Sequence, residues 1–380
     1  MRSKQKKKLL LLALELLILL VLIGIFVIYQ MTFGKMNLED KLDDDKVGIN
    51  TDIDADTILA QEGYTNIALF GLDNRSEGKY ESGNADTIMI ASINNKTKKV
   101  KLVSVYRDTF LSIGNGKFRK ANASYASGGV SQAVAMLNSN FDLTITEYVC
   151  VDWAVVIKAI DALGGIDLEI TEAEMKQINK YLHDVDKVTG KTTAHLTTYG
   201  QIHLDGSQAC TYARIRKLAG DDYKRASRQR IVLQAMLTKA KSADLVDLTE
   251  VCNAVFGDIS TSLTIKEILA MATYVPKYEI VDTTGFPFKL TNQRLSATGD
   301  TVIPVELDNN VEELHRFLFG NENYTLSQTV QSISNDIVIK TGIDSTSSTV
   351  DTSSYNDTTG KKGTESTSSD GGNNETGNKR

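Results

Sequence analysis

A long apolar run near the N-terminus places the strongest constraint on how this chain of 380 residues is organised. The basic segment MRSKQKKK covers residues 1–8, and LLLLALELLILLVLIGIFVIY follows over Leu9–Tyr29 with Glu15 as its only charged residue. About 20 apolar residues are enough to cross the core of a bilayer. A secretory signal peptide has a shorter apolar run and a small-residue cleavage site, and this stretch has neither. The sequence therefore predicts one uncleaved transmembrane anchor over residues 9–29.

Charge on either side of this run predicts its orientation. Basic residues precede the run and acidic residues follow it between Glu39 and Asp45, and a basic flank favours the cytoplasmic side of a membrane. We therefore expect a cytoplasmic N-terminus, an extracellular stalk over residues 30–62 and an extracellular globular domain over residues 63–325. Residues 342–380 are rich in Ser, Thr, Gly and Asn, and we expect them to form a disordered tail because they have little apolar surface to bury.

Composition and motifs disfavour several function classes. The net charge of -6 argues against a nucleic-acid-binding protein, since such proteins are usually basic. The three cysteines are far apart and lack C-x-x-C spacing, so they predict neither a disulfide framework nor a zinc site. The chain also lacks the glycine-rich patterns of nucleotide-binding folds and the G-x-S-x-G pattern of serine hydrolases.

Three apolar segments at the start of the globular part predict neighbouring strands. They cover Thr65–Asp73, Asp86–Ile93 and Lys99–Asp108, and the short polar loop between the last two predicts a hairpin. If the three strands pair in order and antiparallel, their charged termini meet at one edge of the sheet, where loops commonly build ligand sites. The charged residues at that edge are Asp73, Arg75, Asp86, Arg107 and Asp108.

Helices follow these strands, and several carry recognisable caps. Asp152 and Asp205 each stand at the position of an N-cap, and Thr171 with Glu174 forms the pattern of a capping box. The predicted helices cover Gly129–Phe141, Asp152–Gly165, the segment after Thr171, Leu204–Lys217 and Tyr223–Lys241. The sequence therefore predicts an α/β domain.

Arginine is used sparingly except in one window. The chain has 12 arginines among its 42 basic residues, and five of them fall close together. They are Arg214, Arg216, Arg225, Arg228 and Arg230. A planar guanidinium binds phosphate oxygens two at a time, and Arg225, Arg228 and Gln229 share one face of the last predicted helix. The cluster indicates a phosphate site; the alternative is a solvated helix face that pairs with Asp221 and Asp222.

Two carboxylates at the predicted sheet edge suit a hard cation. Asp73 and Asp86 would face the same cleft with no histidine nearby, and oxygen ligands are the ones that Mg²⁺ prefers. Beside an arginine cluster, such an ion would help to hold a diphosphate. The alternative is that Asp73 only makes a turn and Asp86 only caps a strand.

The alternation of the third strand predicts where its last charged residues point. Arg107 falls on the same face as Val103 and Val105, whereas Asp108 falls on the opposite face. If Arg107 enters the cleft, Asp108 is therefore expected to anchor a loop or a partner. The candidates to line the cleft from the following loop are Lys120, Asn122 and Tyr125, and an empty surface loop is the alternative.

The motifs occur in the order found in a known family. In this chain they read NIALFGLDNR (Asn66–Arg75), ADTIMI (Ala85–Ile90), LVSVYRDT (Leu102–Thr109), KANASYASGG (Lys120–Gly129), IDALGGIDL (Ile160–Leu168), LDGSQACTYARIR (Leu204–Arg216) and DDYKRASRQR (Asp221–Arg230). This ordered set resembles the LytR-CpsA-Psr family of cell-wall enzymes, with weaker similarity to about Phe319.

The resemblance implies a fold and an activity. Members of the family have an α-β-α sandwich with a central mixed β-sheet and an apolar pocket for a prenyl chain. They look like phosphotransferases that move a glycopolymer from an undecaprenyl-pyrophosphate carrier to peptidoglycan at the membrane surface. The implied partners are therefore the lipid-linked glycopolymer, peptidoglycan and the membrane, with no nucleic acid.

The resemblance also implies roles for individual residues. Asp73 and Asp86 would hold Mg²⁺ or Mn²⁺. The implied pyrophosphate contacts are Arg75, Arg107, Arg214, Arg216, Arg225 and Gln229. The residues implied in catalysis are Arg107, Asp108 and Asp73, with either carboxylate as a candidate base.

Two departures from the family pattern keep alternatives open. The family usually has Arg-Ser-Asp-Thr where this chain has Asn84–Thr87, and Pro-Arg-Asp where it has Tyr106–Asp108. One pyrophosphate-binding arginine is therefore absent. The alternatives are a non-catalytic regulator of envelope assembly that binds pyrophosphate lipids, and a pyrophosphatase that uses water as the acceptor.

Overall fold

The computed structural model describes residues 37–38, 42, 46–72, 80, 83–216, 218 and 221–355. The predicted anchor over residues 9–29 lies outside these ranges, as do Asp73 and Arg75. Within the described ranges, no helix combines the length and the apolar character needed to cross a bilayer.

The described chain contains thirteen strands and ten α-helices. The strands are β1 (Asn37–Leu38), β2 (Tyr64–Leu72), β3 (Ala85–Asn94), β4 (Lys99–Val105), β5 (Phe110–Ser112), β6 (Phe118–Lys120), β7 (Glu147–Asp152), β8 (Ile166–Ile170), β9 (Gly200–Leu204), β10 (Ser260–Thr261), β11 (Glu279–Phe286), β12 (Leu290–Leu295) and β13 (Gly299–Pro304). The helices are α1 (Ala55–Glu62), α2 (Asn122–Phe141), α3 (Trp153–Ala162), α4 (Glu172–Thr189), α5 (Gly206–Ala213), α6 (Asp221–Ser242), α7 (Leu245–Val255), α8 (Ile265–Ala272), α9 (Leu307–Phe319) and α10 (Gln328–Thr341).

The central sheet is mixed and has seven strands in the order β1-β10-β7-β2-β3-β4-β11. The pairs β2/β3 and β3/β4 are antiparallel, whereas β7 and β11 lie parallel to β2 and β4. The three predicted strands and their pairing in order are thus confirmed, and the ends of β2 and β4 lie at the same sheet edge as the start of β3.

Helices cover both faces of this sheet. On β4, Val103 and Val105 point into a core built with α2, α9 and α10, while Val100 and Leu102 point into a second core that includes α6 and α8. Burial on both faces explains why apolar residues of β4 are needed at neighbouring positions and not only at every second one. The result is the predicted sandwich with a mixed sheet between two helical layers.

The N-terminal boundary of the packed domain differs from the expected one. The sequence places residues 30–62 in a stalk, yet Val47 is fully buried and Ile53 is 7% exposed. Asn50 Nδ2 also donates to the buried Asp142 Oδ1 at 2.6 Å. The few apolar residues in an otherwise polar stretch hold it to the domain from Lys46 onward.

The C-terminal boundary also differs. The sequence predicts a disordered tail over residues 342–380, but the segment 343–355 contacts the domain at a few residues. The Val350 amide donates to Leu290 O at 2.8 Å, and the Val350 side chain packs in a small cluster with Tyr106, Leu290 and Val302. Residues 356–380 lie outside the described chain.

Tyr355 makes the last contacts of this C-terminal segment. Arg230 Nη2 donates to Tyr355 O at 2.8 Å, and the Tyr355 ring stacks on that of Tyr223 with centroids 6.2 Å apart. Composition missed this docking because it depends on two isolated residues, Val350 and Tyr355, in a polar segment.

The predicted caps are confirmed, and two helix boundaries are corrected. Asp152 and Asp205 accept the expected N-terminal amides. Helix α2 starts at Asn122, seven residues before the predicted Gly129, with non-helical backbone at the two glycines inside it. Helix α5 ends at Ala213 because the chain turns there to bury Ile215, which is 1% exposed. Two of the candidate arginines therefore lie just beyond a helix rather than on it.

Candidate functional site

A cavity of about 530 Å³ lies between the sheet and helices α3 to α6. Its apolar lining residues include Leu69, Leu72, Met89, Val149, Val151, Val232, Leu233 and Met236. Its charged lining residues are Asp86, Asp152, Asp184, Arg214, Arg216 and Arg225, and Gln229 also lines it. A volume in this range is typical of a small-molecule site, and the distribution of polarity suits an amphiphile with an anionic head.

Asp86 forms the centre of the charged end. It lies on β3 next to the end of β4, so Arg107 Nη1 reaches Asp86 Oδ1 at 2.8 Å. Arg216 Nη2 donates to the other oxygen at 2.9 Å. Burial alone would raise the pKa of Asp86, but the charge and hydrogen bond of Arg107, with the charges of Arg225 and Arg216, outweigh it and hold the pKa below its ordinary value. The carboxylate is therefore ionised at neutral pH and gathers two guanidinium groups.

Arg225 is a buried cation at the same place. It is 4% exposed, and its Nη1 lies 2.9 Å from Asp222 Oδ1. That contact lacks the alignment of a hydrogen bond, so Nη1 and Nε have no acceptor among the described residues. Burial, only partly offset by Asp222, lowers the pKa of Arg225 to about 10, which still leaves it cationic at neutral pH. Buried donors without acceptors beside a cavity indicate an anion-binding site.

A turn after β4 places Asp108 next to Arg107 rather than on the opposite face. The strand ends at Val105, and the Thr109 amide donates to Tyr106 O at 2.9 Å. The expected alternation of faces is wrong here because it stops where the strand stops. Arg107 Nε consequently lies 3.3 Å from Asp108 Oδ2.

Asp108 holds two basic groups at once. Its Oδ1 is 3.0 Å from Lys120 Nζ on β6, while its Oδ2 faces Arg107. The expectation that Asp108 anchors a neighbouring loop agrees with this contact. Because a cation engages each oxygen, the geometry favours a role in orienting Arg107 over a role as a base.

Arg214 and Arg216 leave the end of α5 on either side of the buried Ile215. The Arg214 guanidinium carbon lies 5.0 Å from the centre of the Trp153 ring, a cation–π contact. Trp153 is the first residue of α3 and also lines the cavity. Sequence reasoning missed Trp153, since nothing in its local pattern links it to residues 60 positions away.

The structure thus brings together Asp86, Arg107, Asp108, Arg214, Arg216, Arg225 and Gln229. The predicted Asp73 and Arg75 lie outside the described residues. Arg228 does not join the group, although its spacing suggested the same face as Arg225: it is 2% exposed and pairs with Glu174. The alternative of a solvated helix face is not what the structure shows, because Arg225, Arg228 and Arg230 are all buried.

The oxygen chemistry of Asp86 fits a hard cation. No group of three or more His, Cys, Asp or Glu residues in the described ranges could hold a metal ion by itself. Mg²⁺ commonly takes only one or two protein carboxylates and completes its shell with phosphate oxygens and water. Asp86 therefore fits as one such ligand beside a bound diphosphate.

The ion pairs of Asp86 predict a specific pH dependence of stability. Its pKa is lower in the folded protein than the unfolded value of 3.8, so its stabilising contribution is present above about pH 4 and is lost as pH falls through the folded value. We expect the melting temperatures of wild type and Asp86→Asn to differ most at neutral pH and to converge below pH 4, as measured by calorimetry.

The exposed pair of Asp300 and Arg294 offers a control. Asp300→Asn removes a carboxylate whose side chain is 83% exposed, and such pairs contribute little. The small change in melting temperature that Asp300→Asn causes should stay nearly constant with pH. If the difference in melting temperature between wild type and Asp86→Asn were also constant with pH, Asp86 would not be stabilised by its ion pairs with the arginines.

Tyr106, at the position where the related family usually has proline, fills space beside the site. It is 3% exposed and meets the Tyr223 ring edge-on at 4.7 Å between centroids. Its hydroxyl lies so close to Gly285 that a Cβ on that glycine would come within 1.9 Å of it. The ring is thus wedged between β11 and α6.

Comparison with known proteins places this geometry in a family. A model described as the LytR_cpsA_psr family matches residues 25–313. The polyisoprenyl-teichoic acid–peptidoglycan teichoic acid transferase TagU of Enterococcus faecalis is 31% identical over 209 residues, which cover 54% of this chain and 64% of that protein. The match therefore spans less than two thirds of that relative's length.

Solved structures share the fold. A protein of Streptococcus agalactiae aligns with a TM-score of 0.59 and 24% identity, covering 72% of this chain and 93% of the other. The LytR-CPS2A-psr family protein YwtF (TagT) of Bacillus subtilis, with bound octaprenyl pyrophosphate lipid, aligns with a TM-score of 0.50 and 19% identity, covering 68% and 92%. At these identities the likeness establishes a common fold.

Proposed function

Because this chain belongs to the LytR-CpsA-Psr family, we propose that it is a membrane-anchored extracellular phosphotransferase. It moves a glycopolymer from an undecaprenyl-pyrophosphate carrier to peptidoglycan and leaves a phosphodiester bond. The name of the Enterococcus faecalis relative describes a transfer of this kind, and the lipid bound to YwtF is a prenyl pyrophosphate. The apolar run before the domain supports the anchor.

One observation carries the proposal: four arginines meet at one end of an apolar cavity, with Arg225 buried, Arg107 half-buried and the other two exposed. A prenyl pyrophosphate has the same division, with an apolar chain joined to a compact anion. The cavity removes the chain from water, while Arg107, Arg214, Arg216 and Arg225 supply charged donors for the phosphate oxygens. Arg225 has donors left without acceptors in the described chain, so binding an anion would satisfy them.

The reaction needs one bond to form and one to break. A hydroxyl of the acceptor attacks the phosphorus that carries the glycopolymer, and the bond from that phosphorus to the bridging oxygen breaks. The lipid phosphate leaves with the bonding electrons, and the hydroxyl proton passes to a base or to solvent. The arginines stabilise the charge that develops on the phosphates. The pyrophosphate bond supplies the driving force, so ATP is not required.

Asp86 and the carboxylate of Asp73 are the proposed ligands of Mg²⁺ or Mn²⁺. When bound, the ion would supply further neutralisation of the diphosphate. Asp86 also holds Arg107 and Arg216 within hydrogen-bond distance. Asp108 orients Arg107 through Nε. Asp86 and Asp108 therefore contact different nitrogens of the same guanidinium.

The proposal is tested with the full-length protein in detergent micelles. The protein is mixed with a synthetic prenyl-pyrophosphate disaccharide, peptidoglycan oligomers and Mg²⁺, and products are read by mass spectrometry. We expect a phosphodiester-linked product that a chelator abolishes, and Asp86→Asn is expected to reduce kcat by about 10²-fold or more.

Arg294→Gln serves as a control at the surface, because Arg294 is an exposed arginine that pairs with Asp300 on β13; its kcat should equal that of wild type. Donor binding without any product would instead support the non-catalytic regulator. Free saccharide phosphate without transfer would support water as the acceptor.

A further inference from the structure

Glu174 and Arg228 form a buried ion pair outside the cavity. Arg228 Nε donates to Glu174 Oε1 at 2.9 Å, and the two side chains are 2% and 9% exposed. Neither residue is among those that line the cavity. The pair ties the first turn of α4 to the middle of α6, and it needs an explanation because burying two charges is costly.

Glu174 is fixed on both of its oxygens. While Oε1 accepts from Arg228, Oε2 accepts from the Thr171 amide at 3.0 Å and from the Thr171 hydroxyl. This capping box orients the carboxylate before Arg228 reaches it. Arg228 is thereby held in one position.

Arg228 extends from this anchor to the chain between two site arginines. Its Nη1 donates to Ile215 O at 3.3 Å, just after the end of α5, where carbonyl groups lack helical partners. Arg214 and Arg216 flank Ile215 on either side, and both line the cavity. Their backbone positions therefore depend on the Ile215 peptide that Arg228 holds.

We propose that Glu174 and Arg228 are positioning residues, which set Arg214 and Arg216 against the anionic group of the ligand. This inference rests on the proposed function for the identity of that ligand, a diphosphate. A buried pair of this kind is weak evidence for stability, since apolar replacements are often neutral. We therefore expect the pair to determine where Arg214 and Arg216 lie rather than how stable the fold is.

The pair is tested with Glu174→Gln in the full-length protein. Glutamine can still serve the capping box through its carbonyl oxygen, but it no longer neutralises Arg228. Two quantities are measured: the emission of Trp153, the single tryptophan of the chain, and the affinity for geranylgeranyl pyrophosphate by calorimetry. Because Arg214 lies over the Trp153 ring, a shift of Arg214 changes that emission without any ligand.

Glu267→Gln is the matched control, since Glu267 closes an equivalent capping box with Thr264 at the surface. We expect Glu174→Gln to change the Trp153 emission and to weaken binding between about tenfold and a hundredfold, and Glu267→Gln to do neither. Glu174→Met combined with Arg228→Met removes both charges together. This double variant should have a melting temperature close to that of wild type, yet it should still bind geranylgeranyl pyrophosphate weakly.

The outcomes separate this inference from the proposed function. Unchanged Trp153 emission and unchanged affinity in Glu174→Gln, or wild-type affinity in the double variant, would overturn the positioning role. If wild type itself does not bind the pyrophosphate probe, the proposed function fails. The Trp153 emission of the ligand-free variants then still decides whether the pair places Arg214.

Discussion

Arg225→Met is expected to slow transfer strongly without lowering the melting temperature. The substitution removes a guanidinium that we place against the diphosphate, and losing one such donor typically costs about 10² to 10³ in kcat. Folding should not suffer, because the guanidinium is buried, two of its nitrogens lack acceptors among the described residues, and burial lowers its pKa to about 10. Thermal melting and steady-state kinetics on the same preparation check both parts.

The same substitution three positions further along provides the contrast. Arg228→Met leaves the buried carboxylate of Glu174 without its cation, which typically costs about 3–5 kcal/mol. A lower melting temperature for Arg228→Met than for Arg225→Met would separate a structural arginine from a ligand-binding one. If Arg225→Met melts just as low, the guanidinium of Arg225 stabilises the fold and its assignment to the ligand loses support.

Deleting residues 343–380 is expected to destabilise the protein clearly. The deletion removes the half-buried Val350 side chain and the hydrogen bond from the Val350 amide to Leu290 O. It also leaves the buried Arg230 without its contact to Tyr355. Together these losses are worth about 2 kcal/mol, or a fall in Tm on the order of 5 °C. Calorimetry on the two proteins measures the difference.

A shorter deletion isolates the cause. Removing only residues 356–380 keeps every contact described for the segment that ends at Tyr355, so its Tm should match that of the full chain. Equal melting of both truncated proteins and wild type would show that the docked segment contributes no stability.

The strands and caps could be predicted from sequence because their causes are local. Apolar runs buried on both faces, the hairpin between β3 and β4, and the capping box of Thr171 are each encoded within a few residues. Once the strands pair in order, Asp86 and Arg107 must meet, as the 2.8 Å contact confirms. The core of the candidate site follows from that pairing.

The features that sequence reasoning missed depend on contacts between distant segments. Arg228 has the spacing of a site residue, but it pairs with Glu174, far away in the chain, and does not line the cavity. Trp153 meets Arg214 in the cavity because α5 ends at Ala213, just before that arginine. Docking of the segment around Val350 depends on a pocket assembled from β12, β13 and Tyr106.

The close approach of Tyr106 to Gly285 restricts the order in which these two positions can change. Alanine at 285 would collide with a hydroxyl that the surrounding rings prevent from moving. A smaller residue at 106 would remove the obstacle, whereas the proline usual in the related family would also lose the hydrogen bond that the Tyr106 amide donates to Phe286 O at 3.0 Å. Mutational paths that change position 106 first are therefore open, whereas paths that begin at Gly285 pass through a poorly folding intermediate. The two sites should behave as a linked pair in any library that randomises both.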